Sequence, residues 1–166
     1  MNTAGCDRAV ALSGGGQGLE HGAHLGGTGG LESLVVSFDV FVQRFRDGNA
    51  APLSPGVFHE VFGPHVDRRE PEHRLLHVRT ADGGEADVYA DADDPGSSSL
   101  MVNHFSGEMV SDLIVEYARR ADAVILPAGC PTLLTSAEQR QHLPEALSAD
   151  VRVVSDGPGF LAAIRG

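Results

Sequence analysis

From residue 34 onward the sequence predicts a mixed α/β (α+β) domain: an antiparallel portion followed by a βαβαβα portion, with helices packed on one mixed sheet. Three observations carry this. Short β-branched runs alternate with stretches whose apolar residues recur at helical spacing. Asp82-Gly83-Gly84 joins two alternating runs in the manner of a hairpin. In the second half, strand and helix patterns follow one another in turn, which calls for a shared sheet. At 166 residues, 42% of them hydrophobic, the chain is long enough for one such domain to bury a core.

Residues 1–33 are rich in glycine, as in Ser13-Gly14-Gly15-Gly16-Gln17-Gly18 and Leu25-Gly26-Gly27-Thr28-Gly29-Gly30. Such a stretch buries too little apolar surface to offset the backbone entropy lost on ordering. A disordered leader over 1–33 and a single domain over 34–166 are expected, with translation starting near Val35 as the alternative reading. Ala9 to Leu12 before glycines imitates a strand entering a phosphate loop, but no Gly-Lys-Ser/Thr follows.

Within the domain, residues 34–42 read as a central strand ending at the turn Asp47-Gly48-Asn49. Ser54-Pro55 opens a short helix with Val57, Phe58, Val61 and Phe62 on one face, and Gly63-Pro64 stops it. Residues 74–80 and 85–91 form the hairpin strands. In the second of these, Glu85, Asp87, Tyr89 and Asp91 share a face that continues into Asp93 and Asp94, a solvated acidic face rather than a Ca²⁺ loop. His73 and His77 stand four apart without the further ligands of a zinc site, so no metal is expected.

Residues 100–102 then read as a strand, and Ser106 as the cap of a helix with Met109, Val110, Leu113, Ile114, Tyr117 and Ala118 inward. Residues 123–126 follow as a buried strand, and Thr135 with Glu138 as the capping box of a third helix ended by Pro144. Residues 151–154 are the last strand and 156–165 the closing helix, with Phe160, Leu161 and Ile164 inward. Crossover helices make the joined strands parallel, so three parallel strands are expected side by side.

All 12 basic residues are Arg, a bias that reflects a G+C-rich genome, and the formal net charge is -11. That charge disfavours phosphate backbones and anionic membranes as partners and favours a basic protein. No apolar run approaches a membrane span, no secretory signal pattern opens the chain, and Cys6 and Cys130 do not form a disulfide framework; a cytoplasmic protein without a cofactor is expected.

In open parallel sheets the ligand crevice lies beyond the carboxyl ends of the strands. Three expected strand ends carry Asn103, His104 and Ser106, then Cys130 and Thr132, then Asp156. Cys130, His104 and Asp156 have the composition of a nucleophile, its base and an orienting carboxylate, with Asn103, Ser106 and Thr132 placed to hold a small ligand. Against this, Cys is commonly buried, and Ser106 and Asp156 are explained as helix caps.

The segments Leu100-Met101-Val102-Asn103-His104-Phe105-Ser106-Gly107, Leu126-Pro127-Ala128-Gly129-Cys130-Pro131-Thr132 and His142-Leu143-Pro144 resemble a small uncharacterised bacterial α/β domain family over residues 35–166. The resemblance implies that these segments form one unit and carries no activity with it. Two function classes follow from the residues. The first is an acidic, non-enzymatic binding protein of the inhibitor or immunity type, which docks a basic partner. The alternative is a hydrolase or acyl transferase that uses Cys130, His104 and Asp156 on a small substrate.

Overall fold

The structure is a computed structural model that describes residues 39–166. The expected leader, and residues 34–38 of the expected first strand, lie outside the described residues. The remainder of that strand is β1 (Val40–Gln43), followed by a two-stranded ribbon, β2 (Phe45–Arg46) and β3 (Asn49–Ala50), and by helix α1 (Pro55–Val61). Next come β4 (Val66–Glu70), β5 (Leu75–Arg79), β6 (Glu85–Tyr89) and β7 (Ser99–Asn103). Helix α2 (Glu108–Arg120), β8 (Val124–Pro127), β9 (Thr132–Leu134), β10 (Val151–Val153) and α3 (Gly157–Arg165) complete the described chain.

Eight strands form one sheet in the order β10-β9-β8-β1-β7-β6-β5-β4. Every pairing is antiparallel except β9 with β10. With three helices packed against it, this is an α+β fold. The inner face presents Val40, Val42, Leu76, Val78, Val88, Val102, Ile125 and Leu133, which pack with Phe58, Phe62, Ile114, Tyr117 and Phe160 of the helical layer. Such residues alternate along each strand because side chains point to opposite faces with period two. Phe58, Phe62 and Tyr117 stack within 5.2 to 6.0 Å of one another, at the meeting of α1 and α2. On the outer face a smaller core of Phe45, Val124, Leu134 and Leu143 covers β8 and β9 beneath residues 137–147.

The expected block of three parallel strands does not form. β1 lies between β7 and β8 and runs antiparallel to both, so those two strands are parallel to each other without touching. β9 carries no strand signal in the sequence, because its three residues are all buried and show no alternation. β9 turns back along β8, and β10 pairs with it in parallel, so β10 points opposite to β7 and β8. Its carboxyl end, with Ser155 and Asp156, is therefore at the other edge of the sheet from Asn103 and Pro127.

Two further expectations change. Residues 137–142 and 145–147 form 3₁₀ turns in place of a third α-helix, and the capping box uses Ser136 and Gln139 rather than Thr135 and Glu138. The Gln139 amide, in a residue only 6% exposed, accepts from the Thr135 and Ser136 N–H groups and donates to the Ala123 carbonyl and to Asp122. The segment thus spends its hydrogen bonds on tethering itself to the start of β8, and Pro144 ends it before a stable helix length is reached. Helix α2 is capped not by Ser106 but by Asp82 of the β5–β6 turn. The N-cap position is Gly107, which has no side chain, and the Asp82 carboxylate accepts from the Met109 N–H at 3.0 Å.

Asp82 also accepts from the Thr80 hydroxyl at 2.6 Å and from the Gly84 N–H at 3.0 Å, so the hairpin turn and the helix start are one unit. The turn sits so close that a Cβ on Gly107 would stand 2.7 Å from the Gly84 Cα, and Gly107 has φ +86. At the other sheet edge, Asp156 caps α3 as expected, accepting from the Gly159 N–H at 2.8 Å, while Asp112 of α2 accepts from the Gly157 N–H at 2.8 Å.

Loss of the cap in Asp82→Ala is expected to cost about 1 kcal/mol, and overpacking in Gly107→Ala about 1 to 3 kcal/mol; urea denaturation at neutral pH measures both. Hydrogen bonds from the Thr80 hydroxyl, then from the Met109 and Gly84 amides, hold the Asp82 carboxyl below its ordinary value. A folded-state value below the unfolded one gives stability that is complete above the ordinary carboxylate range and is lost as pH falls through the folded value. The stability gap between wild type and Asp82→Ala should therefore narrow as the pH is lowered below about 4.

Candidate functional site

The outer face of β1, β7, β6, β5 and β4 lies beyond the cover of residues 137–147. The register sorts its side chains into rows. One row is apolar: Phe41 pairs with Met101, Met101 with Tyr89 and Tyr89 with Leu75, and Glu70 of the edge strand closes it. Phe41 is 40% exposed, and Met101, Tyr89 and Leu75 are half-buried. A partly exposed apolar row with one exposed aromatic is a feature found at interaction surfaces.

The adjacent row is polar and runs from Asp39 through Asn103, Asp87 and His77 to Arg68. Its central members form a continuous network. His77 Nδ1 donates to Asp87 Oδ1 at 2.6 Å, and His104 Nδ1 donates to Asp87 Oδ2 at 3.2 Å. On the other side of the His77 ring, Arg68 Nη2 stands 2.6 Å from Nε2 and 2.8 Å from Glu70 Oε1. The Glu70 carboxylate is 3.2 Å from the same ring nitrogen. Three strands and the turn after β7 are thereby linked through charge-assisted contacts, the stronger class of hydrogen bond. Arg79 and Glu85 form a further cross-strand pair at 2.8 Å. These groups border a shallow depression of about 250 Å³.

His104 occupies the left-handed region at φ +47, a conformation that costs a residue with a Cβ about 1 kcal/mol. The strand-to-helix turn imposes it: only three residues separate Asn103 at the end of β7 from Gly107 at the cap of α2, and Ser106 must first meet β6. Its N–H donates to the Glu85 carbonyl at 2.9 Å, and its hydroxyl accepts from the Glu85 N–H at 3.3 Å. The outcome aims the His104 imidazole along the sheet at Asp87 and leaves its ring 56% exposed.

The structure divides the residues expected to form a catalytic set. Asp156 is at the opposite sheet edge, where it serves as the α3 cap. Cys130 follows β8 at the same edge as His104, but β1 lies between the strands that carry them, and the His104 ring reaches away, toward β6. The Cys130 side chain packs against the main core, and its N–H closes a turn on the Pro127 carbonyl at 3.1 Å. Thr132 is 6% exposed at the start of β9. Asn103 donates to Asp39 at 3.5 Å, while its buried Oδ1 has no hydrogen-bond partner. Burial pushes the Tyr117 phenol up to about 12, so it stays protonated at neutral pH.

The acidic face read along β6 is not simply solvated, since Glu85 and Asp87 are both paired across strands. His73 lies in a 3₁₀ turn, Pro71–His73, apart from the face that carries His77. Among the described residues no group of three or more His, Cys, Asp or Glu side chains is arranged to hold a metal ion, and no helix is long and apolar enough to cross a membrane. The chain matches no family model, no curated protein and no solved structure. Among the described residues its architecture is an α+β sheet with helices on one face and a partly bare second face.

Removing the centre of the network and one of its ends should have different effects. Asp87→Ala leaves the half-buried His77 Nδ1 without its acceptor and is expected to cost about 1 to 3 kcal/mol. His104→Gly gives up an exposed pair worth about 0 to 1 kcal/mol and relieves the backbone, so a net change within about 0.5 kcal/mol is expected. Paired denaturation curves measure both.

Proposed function

We propose that this chain is a non-enzymatic binding protein that docks a basic protein partner on the open face of β1, β7, β6, β5 and β4, acting in the cytoplasm in the manner of an inhibitor or immunity protein. The observation that carries the reading is the unbroken apolar row Leu75–Tyr89–Met101–Phe41 beside a charged row, on a face that the rest of the described fold leaves bare. Aromatic, Met and Arg side chains are the types enriched in the cores of protein interfaces. The net charge of -11 supplies long-range attraction for a basic partner and selects against nucleic acid.

The immobilised full chain should capture a basic protein at low ionic strength and release it as salt rises through about 0.3 M, where the Debye length falls below about 6 Å. Phe41→Arg should abolish capture, whereas Arg165→Ala, at the end of α3, should leave it intact. Capture that is indifferent to Phe41→Arg would place the partner elsewhere and overturn the reading.

A second reading is acid–base chemistry by His104. What favours it is the Asp87 carboxylate on Nδ1, which leaves Nε2 as the other ring nitrogen of a half-exposed imidazole at the border of the depression, the arrangement a general base requires. In that reading Asp87 replaces Asp156 as the orienting group. The alternative with Cys130 as nucleophile is tested by alkylation in a Cys6→Ser background. A Cys130 rate that falls on His104→Ala supports an activated thiol, and an unchanged rate supports a structural cysteine.

A further inference from the structure

We infer that His77 is a proton-operated switch on the outer face: neutral, it holds the Arg68 guanidinium at Nε2, and protonated, it passes that contact to Glu70 and turns Arg68 outward. The inference stands on the geometry around the ring and does not depend on what the face binds.

The donors and acceptors around the half-buried imidazole fix its state. Asp87 Oδ1 is 2.6 Å from Nδ1, and Arg68 Nη2 is 2.6 Å from Nε2. A guanidinium donates and does not give up its proton, so Nε2 must offer a lone pair to meet it. An ionised carboxylate only accepts, so the ring proton is on Nδ1. Neutral His77 is thus the middle link of a directed chain, Arg68 to His77 to Asp87, that crosses β4, β5 and β6 with every contact satisfied.

A proton arriving from solvent has one ring position to take, Nε2, and there the chain breaks. Two cationic donors then face each other at hydrogen-bond distance, and the contact becomes repulsive. Its replacement is already in place, since Glu70 Oε1 is 3.2 Å from the same nitrogen. Glu70 is also 2.8 Å from Arg68 Nη2, so it is the acceptor that both cations can reach. The imidazolium gains a carboxylate on each nitrogen, Asp87 and Glu70, and the Arg68 guanidinium swings toward the depression that it already borders.

The remaining charged groups near the ring are engaged with one another or exposed. Arg79, on the same strand, is held by Glu85 of β6 at 2.8 Å, and the exposed Asp67 of β4 borders the depression. His104 meets the second oxygen of Asp87 through Nδ1 and, among the described residues, has no donor on Nε2, so a proton there displaces nothing. The edge strand β4 keeps a side-chain tie to β5 in both states, through Arg68 in one and Glu70 in the other. What changes is the surface: a guanidinium folded onto a neutral ring becomes an imidazolium beside an outward guanidinium.

The experiment is long-range proton–nitrogen NMR correlation of the full chain, isotope-labelled in histidine and arginine, from about pH 8 to about pH 5, a range that brackets the ordinary imidazole value of about 6.5. Loss of signals in His77→Gln and in Arg68→Ala assigns the two side chains. The expected result is a protonated Nδ1 and a bare Nε2 on His77 at the upper pH, both nitrogens protonated at the lower, and Arg68 side-chain signals that move in step with His77. Arg68→Ala removes the donor to the neutral ring and should raise the His77 protonation constant about two- to fivefold; Glu70→Gln removes the acceptor of the charged ring and should lower it by a similar factor. A bare Nδ1 at the upper pH, Arg68 signals that ignore the titration of His77, or variants that move its protonation in the same direction would overturn the proposal.

Discussion

The Asp82 carboxylate joins the first half of the fold to the second, and much of the geometry around it is a consequence of that contact. It accepts from the Met109 amide at the start of α2, which Gly107 itself has no side chain to serve, and from the Thr80 and Gly84 groups of its own turn. A helix N-terminus left without such a partner carries unsatisfied N–H groups and a partial positive charge. Because the turn and the helix start touch at Gly84 and Gly107, the residues between β7 and α2 have no slack. The left-handed backbone of His104 and the double contact of Ser106 with Glu85 follow from this confinement.

The two faces of the sheet are organised by different forces. On the inner face Val40, Val42, Val88 and Val102 are fully buried, and each such side chain contributes on the order of 1.5 to 3 kcal/mol. On the outer face the same strands carry side chains held by register and pairing rather than by burial. Asp87 is the centre of that arrangement, since each of its oxygens serves a different imidazole. Cross-strand pairs of this kind fix side-chain positions at modest net energy, and this leaves the surface ordered yet free to meet something else.

Legibility followed the range of the interactions involved. The hairpin of β5 and β6, helix α2 and the Asp156 cap of α3 are local, and turn residues or apolar spacing announce each of them. The His77–Asp87 contact was within reach of the same reasoning, because the Asp82-Gly83-Gly84 turn sets the register that places the two residues opposite each other. β4 escaped because Asp67, Arg68, Arg69 and Glu70 read as a solvated stretch, the composition that edge strands adopt to block further pairing. β9 escaped because burial on both sides removes alternation. The insertion of β1 between β7 and β8 is a choice among partners distant in sequence, and no local pattern encodes it. That one choice separates β7 from β8, and with the reversal at β9 it carries Asp156 away from His104.

The position of β1 also bears on how the chain reaches this state. Val40–Gln43 come first among the described strands, yet their partners are Ser99–Asn103 and Val124–Pro127. On a ribosome this apolar segment emerges long before either partner, and both of its backbone edges stay unpaired until most of the chain has been made. The central pairings close loops of more than fifty residues and belong to the slow, high-contact-order class. The hairpin and α2 rest on local contacts, whereas β1 is held only by partners distant in sequence. Nascent chains should be most prone to aggregate in the interval before β8 is complete.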